Sequence, residues 1–169
     1  VRWQLRLPTE RYYEEEGRAE LTPRDFGILM HRVFENAATT DEIYMAIEAM
    51  TQDGVLDEKE APRLRELVEK ALADPVTAEW FGGRWQVVRN ENEIILPGSG
   101  TTRRPDRVMT DGERAVVVDY KFGDRETARH RKQIREYLRL LRQMGYTRTE
   151  GYLWYVRLGR TERVEEKED

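Results

Sequence analysis

The stretch Arg104-Pro105-Asp106-Arg107-Val108-Met109-Thr110-Asp111-Gly112-Glu113-Arg114, continued by Ala115-Val116-Val117-Val118-Asp119-Tyr120-Lys121, decides how the chain is read. Asp-Gly flanked by alternating apolar residues is a strong short-range hairpin signal. The two flanking runs therefore read as adjacent strands, with Thr110-Asp111-Gly112-Glu113 between them. Such a hairpin brings Asp106 and Asp119 close at one end. Two carboxylates held together repel, and one pKa rises unless a cation lies between them. Lys121 shares a strand face with Asp119, because side chains alternate along a strand. Asp is depleted in strands, and a polar residue closing a Val-Val-Val run needs a partner or a function. The pattern points to a hard-metal hydrolytic site, since Mg2+ takes one or two carboxylates beside water and phosphate oxygens. Taken alone, Asp106 also suits a turn after Pro105, and Asp-x-Lys recurs by chance in many proteins.

Downstream, Gly123-Asp124 breaks the second strand. A long helix is expected over about residues 126–144, with Ile134, Tyr137, Leu138 and Leu141 inward and Gly145 just past its end. Residues 151–157 (GYLWYVR) form an aromatic, β-branched strand, residues 162–164 a short last strand, and residues 165–169 a charged, frayed tail. Upstream, strands are expected at residues 85–89 and 93–96, and a turn at residues 97–102. Before Trp80-Phe81-Gly82-Gly83 the pattern is helical. Thr22-Pro23-Arg24-Asp25 opens a helix with Phe26, Leu29, Met30, Val33 and Phe34 on one face, and His31 lies on it. A second helix runs from Thr40 or Asp41 to Met50, and a third over about residues 57–73, ended by Asp74-Pro75. In residues 1–17, Trp3, Leu5 and Leu7 alternate as a short edge strand stopped by Pro8.

This order predicts one α/β (α+β) domain over residues 1–169, built on a central mixed sheet flanked by helices. Residues 1–21 are a linker or edge segment, 22–83 a helical part, and 84–164 the sheet core. The first residue is Val1, not Met, which reads as a start inside a longer protein or after processing. With no cysteine, disulfides, thiolate zinc sites and iron–sulfur clusters are excluded. That fits a cytoplasmic setting. No apolar run approaches the roughly 18 residues that span a bilayer, so no membrane partner is expected.

The net charge of −4 hides an asymmetry. Residues 41–70 hold nine acidic and four basic side chains, whereas residues 101–148 hold thirteen basic and seven acidic. The half with the carboxylate pair is the basic half, as a phosphate backbone favours. Arg129, Lys132 and Arg135 on the long helix are candidates for such a track; a solvated cationic face is the plainer reading. Trp80, Phe81 and Trp85 could stack bases, but aromatics at element ends more often fill a core.

Several motifs, in order, resemble the PD-(D/E)XK nuclease superfamily, and within it the RecB-type nuclease domain at the C-terminus of UvrD/Rep-like bacterial helicase–nucleases. Gly27-Ile28-Leu29-Met30-His31 resembles the family's G-x-x-x-H helix. Asn90-Glu91-Asn92-Glu93-Ile94 is similar to the strand with an acidic residue ahead of the main motif, Glu91 matching better. Arg104-Pro105-Asp106-Arg107-Val108 resembles "PD", and Val118-Asp119-Tyr120-Lys121-Phe122-Gly123 resembles "(D/E)XK". His130-x-x-Gln133-x-x-x-Tyr137 resembles the following Q-x-x-x-Y helix, and Gly151-Tyr152-Leu153-Trp154-Tyr155 the closing strand. Six elements in order are far more specific than any one.

The resemblance implies a restriction-endonuclease-like core and metal-dependent hydrolysis of DNA phosphodiesters. It implies an exonuclease module of an ATP-dependent helicase–nuclease in double-strand-break repair and recombination. The metal is expected to be Mg2+, with Mn2+ also accepted because imidazole suits it better. Its ligands would be His31, Asp106, Asp119 and the carbonyl of Tyr120. Lys121 would orient the attacking water, Glu91 would tune the site, and Gln133 and Tyr137 would face the scissile phosphate or Lys121; core packing of Tyr137 and a solvated Gln133 are the alternative. Expected partners are DNA, contacted with little sequence preference, the parent helicase in the same chain, and a second helicase–nuclease subunit. The rival reading is a catalytically silent DNA-binding or docking module, although degenerate copies lose an Asp or the Lys and none is lost here.

Overall fold

A computed structural model of the chain describes residues 20–90, 94–95, 102–123 and 128–167. The expected edge strand within residues 1–17, Glu91, the turn at residues 97–101, Asp124 and the last two tail residues lie outside the described residues.

Among the described residues, four helices precede the main sheet. The first, α1 (Pro23–Glu35), starts on a capping box. The Asp25 N–H donates to Thr22 Oγ1 at 3.2 Å, and the Thr22 N–H donates to Asp25 Oδ2 at 2.8 Å. Both bonds satisfy amides that a helix start leaves without partners. Next come α2 (Thr40–Gln52) and α3 (Ala61–Ala71). The third helix starts four residues later than its periodicity suggests. Asp57 Oδ1 accepts the Lys59 N–H at 3.0 Å and Asp57 O the Glu60 N–H at 2.9 Å, so residues 57–60 close a turn first. Asp74-Pro75 ends that helix as expected but also starts another, α4 (Pro75–Trp80). Asp74 Oδ1 accepts the Val76 N–H at 2.7 Å. A capping Asp with Pro in the first turn is a start signal as much as a stop signal.

The main sheet has five strands: β1 (Val87–Asn90), β4 (Arg107–Asp111), β5 (Arg114–Lys121), β6 (Arg148–Tyr155) and β7 (Arg160–Val164), in the spatial order β1-β4-β5-β6-β7. Between β1 and β4, β2 (Ile94–Ile95) and β3 (Thr102–Arg103) form a separate antiparallel pair, so Thr102 belongs to a strand and not to the expected turn. The expected β4–β5 hairpin is present, with Arg107 opposite Val118 and Asp111 opposite Arg114, so Thr110 and Asp111 belong to the strand and the loop is Gly112-Glu113. Gly112, at φ +57°, supplies the left-handed residue that such a tight loop needs. β5 pairs with β6 in parallel, and the other neighbours in this sheet are antiparallel. The parallel pair requires a crossover, which α5 (Ala128–Gln143) provides. The result is the mixed sheet flanked by helices that the sequence implies.

Strand alternation divides the core into two layers. Met109, Val116, Val118, Tyr120 and Trp154 pack toward α1–α4. Val108, Ala115, Val117, Leu153 and Tyr155 pack toward α5. Trp80 and Phe81 are buried in the first layer, as core aromatics rather than base platforms. Gly151 on β6 lies directly under α5. A Cβ there would overlap Ile134 Cγ2 and come within 3.2 Å of two Leu138 methyls. Gly151→Ala should therefore cost about 1–3 kcal/mol through overpacking, read as a lower urea midpoint. An unchanged midpoint would show that α5 yields without penalty.

Candidate active site

The hairpin register places the residue before β4, Asp106, opposite Asp119 of β5. The two are joined through the backbone. The Asp106 N–H donates to Asp119 Oδ1 at 3.1 Å, and the Tyr120 N–H donates to Asp106 Oδ2 at 2.7 Å. Each carboxylate thus keeps one oxygen on an amide and leaves the other for a third group. For Asp106 that group is His31, whose Nε2 lies 3.3 Å from Oδ1. For Asp119 it is Lys121, whose Nζ lies 3.8 Å from Oδ2.

Three elements meet here for separate reasons. The turn and register of the hairpin fix the two Asp residues. Lys121 follows Asp119 on the α5 face, as the period of two requires. His31 arrives on α1, which packs by its apolar stripe on the opposite face, and its ring stands edge-on to Tyr120 and Phe122 with centroids 5.8 and 5.6 Å away. The Tyr120 side chain turns away from the carboxylates into the α1–α4 layer, against Phe34 and Trp154.

Asp119 is only 4% exposed. Burial, and then the neighbouring Asp106 carboxylate, push its carboxyl up to about 6. Lys121, the Asp106 N–H and His31 act in the opposite direction without cancelling the rise. The protein has gathered negative charge at a point where it has not gathered enough positive charge. A divalent cation would relieve that strain.

The donor set fits such an ion. Two carboxylates and one imidazole are ligands for a hard or borderline divalent cation. Among the described residues no three His, Asp or Glu side chains form a finished cage. An ion that keeps water and phosphate oxygens in its shell needs no such cage.

Two residues escaped the sequence reading. Glu35 Oε2 lies 3.3 Å from His31 Nδ1. A carboxylate behind an imidazole fixes which nitrogen faces the site. The signal was present as an i, i+4 pair on one helix. Arg107, fully buried beside Asp106, had no local signal. Its guanidinium donates to Ala37 O at 2.6 Å, Ala38 O at 2.8 Å, Trp80 O at 2.7 Å and Asn90 Oδ1 at 3.1 Å. It also lies 4.0 Å over the Phe81 ring.

On the α5 side, Tyr137 is 2% exposed and packs with Ile134, Leu138 and Leu141, while Gln133 is half-buried. Both belong to the helix that covers the face carrying Asp119 and Lys121. His130, one turn earlier, has its pKa lowered by burial and then by Lys121, Arg129 and Arg131. Arg129 and Lys132 are exposed, and Arg135 donates from Nε to Glu165 O at 3.2 Å. Lys132, Arg135 and Arg139 line an open cleft of about 490 Å3 with Glu136, Glu166 and Lys167. No helix among the described residues is long and apolar enough to cross a membrane.

The family model for the PD-(D/E)XK nuclease superfamily matches residues 1–169. No curated protein gives a significant match. Nucleases of this superfamily cut nucleic acid with divalent metal ions. A match over the whole chain, on a fold that sets the two motif aspartates opposite each other, leads to one conclusion: the chain belongs to the PD-(D/E)XK nuclease superfamily.

Proposed function

We propose that this nuclease hydrolyses DNA phosphodiesters with Mg2+, or Mn2+, held by His31, Asp106, Asp119 and the Tyr120 carbonyl. The observation that carries the reading is the Asp106–Asp119 pair, Asp119 buried and Asp106 half-buried, with Lys121 beside Asp119. The bound ion would polarise the phosphate and lower the pKa of a water. The chain's own groups do the rest. Lys121 holds the water oxygen toward phosphorus and offsets charge as the new P–O bond forms and the old one breaks. Glu35 keeps the His31 ring in place. Gln133, and Tyr137 by its hydroxyl, steady Lys121 or the scissile phosphate, and Glu91 adds a further acidic group. Arg129, Lys132 and Arg135 track the backbone, which carries no sequence information, so cutting is largely insensitive to sequence.

In this reading the single domain is the exonuclease module of a RecB-type helicase–nuclease that acts in double-strand-break repair. Helicase domains in the same chain feed it a strand, a second helicase–nuclease subunit assists, and the setting is cytoplasmic. The test is cleavage of end-labelled single- and double-stranded DNA with Mg2+, Mn2+ or EDTA, beside Lys121→Ala. Cleavage should require metal and fall about 100-fold in the variant. Equal cleavage by the variant would remove Lys121 from the reaction. Neither cleavage nor calorimetric metal binding by the wild type would favour a silent docking module.

A further inference from the structure

Beside the Asp106–Asp119 pair opens a groove of about 520 Å3 lined by Arg24, Ile28, His31, Phe122 and Arg157, with Gly27 in its wall. It shares His31 with the reaction centre, so whatever occupies it lies next to the bond that is cut. Its chemistry is mixed in a particular way. Phe122 directly follows Lys121 and is half-buried, and Ile28 is 37% exposed although it lies on an otherwise well-packed helix. Together they make an apolar plate. Arg24 and Arg157, both exposed, bring two guanidinium groups to the same groove.

Two local features show the groove to be built rather than accidental. A Cβ on Gly27 would come 3.3 Å from Phe122 Cβ, so the missing side chain lets Phe122 lie close on α1. The Phe122 ring is also held edge-on to His31. Arg24 stands in the first turn of α1, where a cation opposes the helix dipole. A residue that breaks a local preference without an evident structural gain marks a functional position.

An apolar plate flanked by guanidiniums suits a ligand with one flat face and a phosphate on each side. A free phosphate would not need the plate, and a purely apolar ligand would not need the arginines. A base inside a duplex cannot offer its face, because both faces are stacked on neighbours. An unpaired base can, and stacking on an aromatic ring tolerates any base. We propose that this groove holds one unpaired nucleotide beside the scissile phosphate, its base on Phe122 and Ile28 and its phosphates toward Arg24 and Arg157. The substrate is then single-stranded DNA or a frayed duplex end. This deepens the nuclease reading and rests on it for the place of the cut, although binding in the groove can be measured without cleavage.

The experiment titrates the protein in EDTA with single-stranded oligonucleotides carrying 2-aminopurine, whose emission reports base stacking, and with a matched duplex. Wild type should show a saturable emission change. Phe122→Ala should remove it and weaken single-strand binding about tenfold, the loss of one stacked base. Arg24→Glu, at an exposed position that folding does not depend on, should weaken it similarly and flatten its salt dependence. Duplex affinity should change less than about twofold, since phosphate tracking elsewhere is untouched. Wild-type single-strand affinity in both variants, or an equal loss on duplex, would overturn the groove. Should wild type neither cleave nor bind metal while both variants still lose single-strand binding, the nuclease reading would fall and the groove would stand.

Discussion

Asp119→Asn should reduce DNA cleavage by about 1,000-fold or more without harming the fold. The amide can still accept the Asp106 N–H through its oxygen, so the backbone link between the strands survives. What it cannot supply is the charge that faces Lys121 and that would hold a cation. The same substitution should improve metal-free stability at neutral pH, and the sign comes from the buried carboxyl. In the fold it is pushed up to about 6 from an ordinary 3.8, first by burial and then by Asp106. The folded state therefore holds this proton more tightly than the unfolded chain. The contribution is fully present below about pH 4 and lost as pH rises through about 6, a swing of roughly 3 kcal/mol. Asn has no proton to lose. In EDTA, the wild-type urea midpoint should fall between about pH 4 and pH 8 more than that of the variant. Metal added at the higher pH should restore the wild type alone. An Asn variant that still cleaves within tenfold of wild type would take Asp119 out of the reaction. A variant less stable than wild type at the higher pH would mean the carboxyl is not strained.

The parts of the site that were legible in sequence depend on local rules. Asp111-Gly112 signalled the hairpin, but the two loop residues are Gly112-Glu113, with Asp111 still paired to Arg114, so the signal gave the pairing of β4 with β5 and not its exact register. That pairing brings Asp106 and Asp119 to the same end, the observed register sets them opposite each other, and Lys121 shares the face of Asp119 by the period of two. Helices α1, α2, α3 and α5 were legible by period, and the start of α1 by Thr22 as its cap and Pro23 in its first turn. What local rules miss is either ambiguous or distant. Asp74-Pro75 is both an end and a beginning, and only the burial of Thr77 and Trp80 makes a helix of residues 75–80. Asp57 had the choice of capping α3 or closing a turn ahead of it. His31 is 75 residues from its Asp106 partner, and no spacing rule connects them; family resemblance alone brought His31 forward. Tyr137 shows a limit of a different kind. Its periodicity predicts burial, and burial is found, yet a phenol can pack by its ring and act by its hydroxyl.

Arg107→Met should destabilise the protein by about 4 kcal/mol, lowering the melting temperature by about 10 °C, and should reduce cleavage beyond what the unfolded fraction explains. A buried arginine is ordinarily replaceable by an apolar residue when its partner is a carboxylate that can be replaced too. Here the partners are Ala37 O, Ala38 O and Trp80 O, which no substitution removes. Ala37 and Ala38 lie just beyond the end of α1, and Trp80 is the last residue of α4. The Trp80 carbonyl, at a helix end, lacks an intrahelical partner and lies at the negative pole. One guanidinium therefore satisfies the last carbonyl of α4 and two carbonyls of the α1–α2 connection, and pins both to the strand that starts at its own residue. The neighbour on one side of the pin is Asp106, and the helix on the other carries His31. Their separation of 3.3 Å is thus set by a residue that contacts other groups than the two it aligns. Arg107→Lys separates charge from geometry. An ammonium restores the charge but presents its donors from one point, so it cannot reach all four acceptors. If Lys rescues stability and cleavage together, charge alone holds the helices. If it rescues part of the stability and little of the cleavage, the planar fork sets the alignment of His31 with Asp106, which is the outcome these hydrogen bonds predict. Variants as stable and active as wild type would show that α1 is held to the sheet by its apolar stripe and needs no pin.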